Sequence, residues 1–372
     1  MNIDRRDVLG GLAAFATMSL AGGASNTAQA QAARSANGVK KIATEEACSI
    51  PEIAEELGRV ARAGGKSLDI KLLNRHYNAP ADAPSPRLPD LLDIDSERLR
   101  VMDENDVDMQ LLSLTAPGVQ MFDADTATAL ASLANDRIAE AVKRHPTRFA
   151  GLATFAPQDP QRAVREIERA INTLGLNGLV INSHTNNEYL DQQKYWPILE
   201  AAEALNAAIY IHPRAPSDGM AAPFDDYALE AAVWGYGLEV GTHAVRLMLG
   251  GVFDRFENLK IVIGHMGEAV PFWLWRLDYM GAPGGQQVRP HRLSASEYFD
   301  RNFAITTSGV EDPLALRYCI DKIGADHIMW AIDYPYQPTA PAVTWIDAAP
   351  LSNKEREEIC HGTAERIFHI NS

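Results

Sequence analysis

The sequence predicts an α/β protein, a (β/α)8 barrel with inserted loops, and three observations predict it. Eight short apolar runs recur along the chain, helical patterns fill most of the gaps between them, and polar side chains stand where several runs end. Runs apolar at nearly every position suit strands covered on both faces, the condition of a parallel sheet wrapped in helices. Eight is the number that closes such a sheet. The rival, an open doubly wound sheet, normally carries a Gly-rich phosphate turn after its first strand. Here the first run ends in Thr44-Glu45-Glu46-Ala47 instead.

The barrel is expected over 38–372, and the stretch 1–32 reads differently. Asp4-Arg5-Arg6-Asp7-Val8-Leu9 sets paired arginines ahead of an apolar run reaching Ala21, and Ala28-Gln29-Ala30 or Ala30-Gln31-Ala32 suits a signal peptidase. That order predicts a cleavable export signal of the twin-arginine type and a periplasmic protein. An apolar run of about 14 residues falls short of the ~20 that cross a bilayer, so no stable membrane span is expected.

The predicted strands are 39–44, 109–114, 149–155, 178–181, 207–211, 259–263, 303–307 and 328–332. Predicted helices cover 125–143, 161–174 (opened by Asp159-Pro160, with the proline in the first turn), 195–205, 236–256 and 353–368. Two stretches break the rhythm, 66–92 and 281–295, rich in Pro, Gly, Asn and Asp. Loops of that length in a compact domain usually act as lids or contact surfaces.

Composition narrows the partners. A formal net charge of −15 argues against nucleic acid, which needs clustered Lys and Arg. Cys48, Cys319 and Cys360 are scattered and odd in number, so neither a disulfide framework nor a thiolate zinc site follows, and small buried side chains are expected.

In a barrel the carboxyl ends of all strands share one rim. Glu45 ends the first run, Asn182-Ser183-His184 the fourth, His212-Pro213-Arg214 the fifth, His265-Met266-Gly267-Glu268 the sixth and Asp333-Tyr334-Pro335-Tyr336 the eighth. Taken singly, Glu45 could cap a helix, His212 sit in a turn, Glu268 serve a helix dipole and Asp333 cap a turn. Jointly, carboxylates and imidazoles meeting at one rim suit a divalent transition metal. His184 reads equally well as pocket lining or as a residue past the rim. His243 is expected to pack inside a helix, and His76, His145, His291, His327, His361 and His369 to lie on the surface or in loops.

Several motifs together resemble the amidohydrolase superfamily in its metal-dependent decarboxylase branch. They are Ile42-Ala43-Thr44-Glu45-Glu46-Ala47, Leu114-Thr115-Ala116-Pro117-Gly118-Val119-Gln120, Ile181-Asn182-Ser183-His184-Thr185, Tyr210-Ile211-His212-Pro213, Gly264-His265-Met266-Gly267-Glu268 and Asp333-Tyr334-Pro335-Tyr336-Gln337. The resemblance runs from Lys40 to the C-terminus. It implies one divalent ion, Mn2+ or Zn2+, held by Glu45, His212 and Asp333, with His265 beside it handling protons. Ala47 stands where some relatives keep a second His, which implies a mononuclear site. The implied reaction is non-oxidative decarboxylation of a hydroxylated benzoate (carboxyvanillate, resorcylate or dihydroxybenzoate type), with Asp333 protonating the ring carbon. Thr115, His184, Arg276, Tyr336 and Glu268 are the implied substrate-binding residues, and Arg87 is a candidate to grip a carboxylate. Arg276 and Tyr336 match positions near a subunit contact, which implies a homodimer or homotetramer. Two positions depart from the pattern: Cys48 replaces the usual Phe, and Arg214 looks more like the dihydroxybenzoate enzymes. The alternative is a hydrolase of the same superfamily, a lactonase or amidase with Asp333 as base. A third reading is an exported binding protein without activity.

Overall fold

The computed structural model describes residues 38–77, 87–281 and 291–370. The export signal expected over 1–32 lies outside them. Among the described residues no helix is long and apolar enough to cross a membrane.

Eight strands form one parallel sheet in sequence order: β1 (Ile42–Cys48), β2 (Met109–Leu114), β3 (Phe149–Thr154), β4 (Gly178–Asn182), β5 (Ile209–His212), β6 (Ile261–Ile263), β7 (Phe303–Thr306) and β8 (Ile328–Met329). Thr44 N–H donates to Trp330 O at 3.2 Å and Ala47 N–H to Tyr334 O at 2.8 Å, so the first strand meets the chain that continues the last, and the sheet closes. Every strand residue is buried, as a barrel inside a helical shell requires.

Side chains alternate in and out with a period of two. One apolar cluster gathers Ile42, Leu111, Leu152, Val180, Tyr210, Val262 and Ala304 with Phe368 and Ile370 from the C-terminus. The other gathers the alternate positions, among them Ala43, Leu112, Ala153, Ile181, Ile211, Ile263 and Ile305, with the surrounding helices. The first cluster fills the barrel interior. Two residues beyond Val180, Tyr210 and Ala304 along their strands stand Asn182, His212 and Thr306. The alternation that packs the core therefore delivers polar side chains to its rim.

Several expected boundaries shift for identifiable reasons. β1 starts at Ile42 and runs on to Cys48, so Glu45 lies inside the strand and not at its end; the register with β2 shifts between Ala43 and Glu46, a bulge that lets two charged residues sit in a wholly buried strand. The predicted helix over 236–256 breaks into Gly235–Leu249 and Val252–Arg255, because Gly251 takes a left-handed φ of +73°. The predicted C-terminal helix becomes Asn353–Glu357, a π turn over Glu358–Gly362 and Thr363–Ile367. Ile359 O within that turn accepts Trp330 N–H at 2.7 Å, so the widened turn ties the helix to the last strand.

The stretch 66–92 carries helices Leu68–Tyr77 and Leu88–Leu92. It docks through a buried ion pair in which Arg214 Nε and Nη2 donate to Asp69 Oδ2 at 3.1 and 2.5 Å. His291, expected on the surface or in a loop, lies in a loop. It is buried, its ring nitrogens lying 2.7 Å from Leu293 O and 2.9 Å from Gly281 O. His243 packs as expected, buried in its helix and accepting Leu190 N–H. All three cysteines are free and buried.

Candidate metal centre

Glu45, His212 and Asp333 each bring one ligand atom to within 4.8 Å of the others. Glu45 points into the barrel, 1 % exposed. Its Oε2 accepts Thr306 Oγ1–H at 2.8 Å and Ser308 Oγ–H, while Oε1 has no hydrogen-bond partner among the described residues. Gly264 permits this approach, since a Cβ there would stand 2.9 Å from Glu45 Oε1.

His212 is oriented from behind. Its Nδ1 lies 2.9 Å from Pro213 O and 3.1 Å from Asn182 Oδ1, two acceptors that assign the proton to Nδ1. Nε2 is then the lone-pair nitrogen, 3.8 Å from Glu45 Oε1. Such support of the remote nitrogen is how proteins fix a metal-ligating imidazole. Gln120 steadies Asn182 in turn, accepting its N–H at 2.7 Å and donating to its carbonyl at 3.0 Å.

Asp333 takes a left-handed φ of +72°, and its Oδ1 is buried without a partner among the described residues. The loop from His265 to Ala269 is also left-handed throughout, with φ between +51° and +74°. Each such non-glycine residue costs on the order of 1–3 kcal/mol, retained where it aims a functional group. Here the turn places His265 Nδ1 2.8 Å from Glu268 Oε1 and its Nε2 3.8 Å from Glu45 Oε1. Of the two readings of Glu268, helix dipole or site residue, the geometry sets its carboxylate against His265.

Electrostatics divides these groups into charged and neutral. Burial pushes Asp333 well above the usual carboxylate range, and the neighbouring Glu45 adds to the rise. Burial also pushes Glu45 up, but His265, His212 and the hydroxyls around it outweigh that and hold its carboxyl below the usual value. Burial pulls His212 down, against the pull of Glu45, so its ring stays neutral. Burial would depress His265 too, yet Glu45 and Glu268 override it and hold the ring protonated.

The residues fit a divalent cation. Two buried carboxylate oxygens lack donors and one imidazole lone pair faces them, an arrangement that is costly without a proton or cation to share. Two carboxylates and one imidazole suit manganese or zinc and leave coordination positions for water or substrate.

Thr115 and Tyr336 meet beside Asp333, their hydroxyls 2.6 Å apart, and Arg87 lies 5.8 Å from the centre of the Tyr336 ring. Burial pushes the Tyr336 phenol up to about 12. His184 stays neutral, pulled down to about 3 by burial and by Arg214; Nε2 lies 3.2 Å from Ala215 O and Nδ1 has no partner among the described residues. Arg276 is not brought to this cluster. It is exposed on helix Val270–Met280, among exposed Phe272, Trp273, Trp275 and Tyr279.

Sequence reasoning missed Glu46, Tyr210, Thr306 and Ser308. The last two were within reach: they continue the inward alternation of β7, as His212 does on β5.

The family model for amidohydrolases matches residues 75–370, and the chain belongs to that family. It is similar to the γ-resorcylate decarboxylase of Polaromonas sp., 38% identical over 290 residues that cover 76% of this chain and 89% of that one. It is also similar to the solved 5-carboxyvanillate decarboxylase of Sphingomonas paucimobilis, at 54% identity, covering 90% of this chain and 100% of that one with a TM-score of 0.86. The 5-carboxyvanillate decarboxylase of Novosphingobium aromaticivorans, solved with manganese and 4-hydroxy-3-methoxy-5-nitrobenzoic acid, is 37% identical over 90% of this chain and 97% of that one, again at a TM-score of 0.86. The resemblance to the decarboxylase branch agrees with these relatives.

The charge pattern makes metal uptake pH-dependent. Glu45 and His212 already hold the form that ligates, whereas Asp333 must release a proton. Isothermal titration of the apoprotein with Mn2+ across a pH series should show affinity falling by up to about tenfold per unit as pH drops below the Asp333 titration. Affinity independent of pH through the acid range would contradict this assignment.

Proposed function

We propose that the protein is a metal-dependent, non-oxidative decarboxylase of a hydroxylated benzoate, with 5-carboxyvanillate the first candidate and resorcylate and dihydroxybenzoates next. The observation that carries it is the half-buried carboxyl of Asp333, kept above its usual pKa between a charged metal cradle and the Thr115–Tyr336–Arg87 pocket. A hydrolase acting as base would want that carboxylate ionised near neutral pH; an acid that protonates carbon wants it neutral. The relatives named above, decarboxylases of aromatic acids, support the same choice.

The divalent ion, Mn2+ or Zn2+, would be held by Glu45, His212 and Asp333 and supplies charge that anchors and stabilises an anionic substrate. Arg87 offers a cation for a carboxylate, and the Thr115 and Tyr336 hydroxyls offer hydrogen bonds that orient the ring. Asp333 delivers its proton to the ring carbon bearing the carboxylate. The bond to the carboxylate then breaks, its electron pair restores the aromatic ring, and carbon dioxide leaves. Since Asp333 gives up a proton on taking the ion, the proton it delivers would be drawn from the protonated ring of His265. Glu268 holds His265 in place as a proton store beside Glu45.

Two further parts of the reading concern the whole molecule. The paired arginines and apolar run of residues 1–32 support export to the periplasm by the twin-arginine route. The exposed Phe272, Trp273, Trp275, Tyr279 and Met280 around Arg276 support self-association through helix Val270–Met280, as a homodimer or homotetramer, since a patch this apolar is usually covered. Self-association there would place Arg276 at a subunit contact.

The purified protein, loaded with Mn2+, should release carbon dioxide from at least one member of a hydroxybenzoate panel. Asp333→Asn should lower kcat by roughly 10^2–10^4-fold. Near-full activity in that variant would remove Asp333 as the acid, and acid released from a lactone with no gas would favour the hydrolase. Native mass spectrometry of protein recovered from a periplasmic extract should show two or four copies, each lacking the first 30 or 32 residues. An intact monomer found in the cytoplasm alone would sink both whole-molecule proposals.

A further inference from the structure

Consecutive residues of a strand point to opposite sides of the sheet, so Glu45 and Glu46 do not share one task. Glu45 turns into the barrel toward His212 and Asp333. Glu46, also wholly buried, turns toward the chain that follows β8. There its Oε1 accepts Ile332 N–H at 3.0 Å and its Oε2 accepts Tyr334 N–H at 3.1 Å. Asp333 lies between those two donors, in the left-handed conformation that a non-glycine residue keeps only when its surroundings impose it.

The pairing of β1 with the chain after β8 explains why a side chain does this. The two strands are joined by Thr44 N–H to Trp330 O and by Ala47 N–H to Tyr334 O. The two donors stand three residues apart and the two acceptors four, so the pairing slips by one, and the Glu46 carboxylate receives the Ile332 and Tyr334 N–H groups in between. Arg98 closes the far side. Its guanidinium donates to Ala47 O at 2.7 Å and to Gln110 Oε1 at 3.1 Å, and lies 4.7 Å from the centre of the Tyr334 ring.

We propose that Glu46 is a positioning residue: by bridging the backbone N–H groups on both sides of Asp333, it sets the direction from which that side chain reaches ion and substrate. The inference rests on the reading of Asp333 as ligand and acid. It requires two equivalent acceptor oxygens at the right reach. Glutamine presents one acceptor and an amide that opposes the second N–H. Aspartate keeps the charge but is one methylene too short to span both.

The test compares wild type, Glu46→Gln and Glu46→Asp as full chains, with circular dichroism and thermal melting to establish folding. Mn2+ affinity is measured by titration. At saturating Mn2+, binding of 4-hydroxy-3-methoxy-5-nitrobenzoic acid is measured, and so are kcat and KM on whichever hydroxybenzoate the wild type consumes. In the folded variants, Mn2+ affinity and kcat should each fall by about 10–100-fold, with KM and binding of the nitro compound changed only a few fold. A lower melting temperature with Mn2+ affinity and kcat unchanged, in either variant that folds, would reduce Glu46 to a structural role and overturn the proposal. If the wild type consumes no hydroxybenzoate, the decarboxylase reading fails on its own; the Mn2+ affinity of wild type against Glu46→Gln still decides the part assigned to Glu46.

Discussion

Two carboxylate oxygens sealed away from water, Glu45 Oε1 and Asp333 Oδ1, set the terms for the rest of this molecule. Burying an acceptor without a donor costs about 1–3 kcal/mol, and more for a charged group. A fold that keeps two of them within reach of one imidazole lone pair has some use for the concentrated negative charge. Much of the neighbourhood can be understood as support for that arrangement. Thr306 and Ser308 satisfy the other oxygen of Glu45, Asn182 and Pro213 fix the tautomer of His212, and Glu268 holds His265 alongside.

The barrel supplies the precision. Each ligand comes from a different strand or strand end, so its position is set by a hydrogen-bonded sheet and not by a single mobile loop. The inward alternation that packs Val180, Tyr210 and Ala304 in the interior carries on to Asn182, His212 and Thr306 at the rim. Backbone strain is concentrated at the same rim, in the left-handed turn from His265 to Ala269 and at Asp333. Elsewhere the helices are held by ordinary means, such as the Ser294–Glu297 and Ser352–Glu355 capping boxes.

The fold was legible because parallel strands buried on both faces must read as apolar runs, and all eight runs became strands with ends shifted by a few residues. That Glu45, His212 and Asp333 gather at one rim was legible because they stand at or near those runs. What stayed hidden depends on backbone. Glu45 and Glu46 look like the end of a strand, since nothing in local sequence announces a bulge that buries two charges. Glu46 has backbone N–H groups as partners, and these leave no mark in a sequence. The turn at His265 is built mostly from non-glycine residues, so its handedness is equally silent. His291 lies in a loop, but that its ring is buried against Gly281 and Leu293 carbonyls is a backbone contact that leaves no sequence mark either. Arg276 was singled out only through family resemblance, and its exposed position fits a role that needs a second copy of the chain.

All of this rests on Glu45, His212 and Asp333 closing around one cation. A crystal structure of the protein grown with manganese, read by anomalous scattering at the manganese edge, tests it most directly. A single strong peak is expected within bonding distance of Glu45 Oε1, His212 Nε2 and an oxygen of Asp333, with His265 and Glu268 beside it. Absence of any peak at that rim, or a peak bound by other residues with these three turned away, would contradict it.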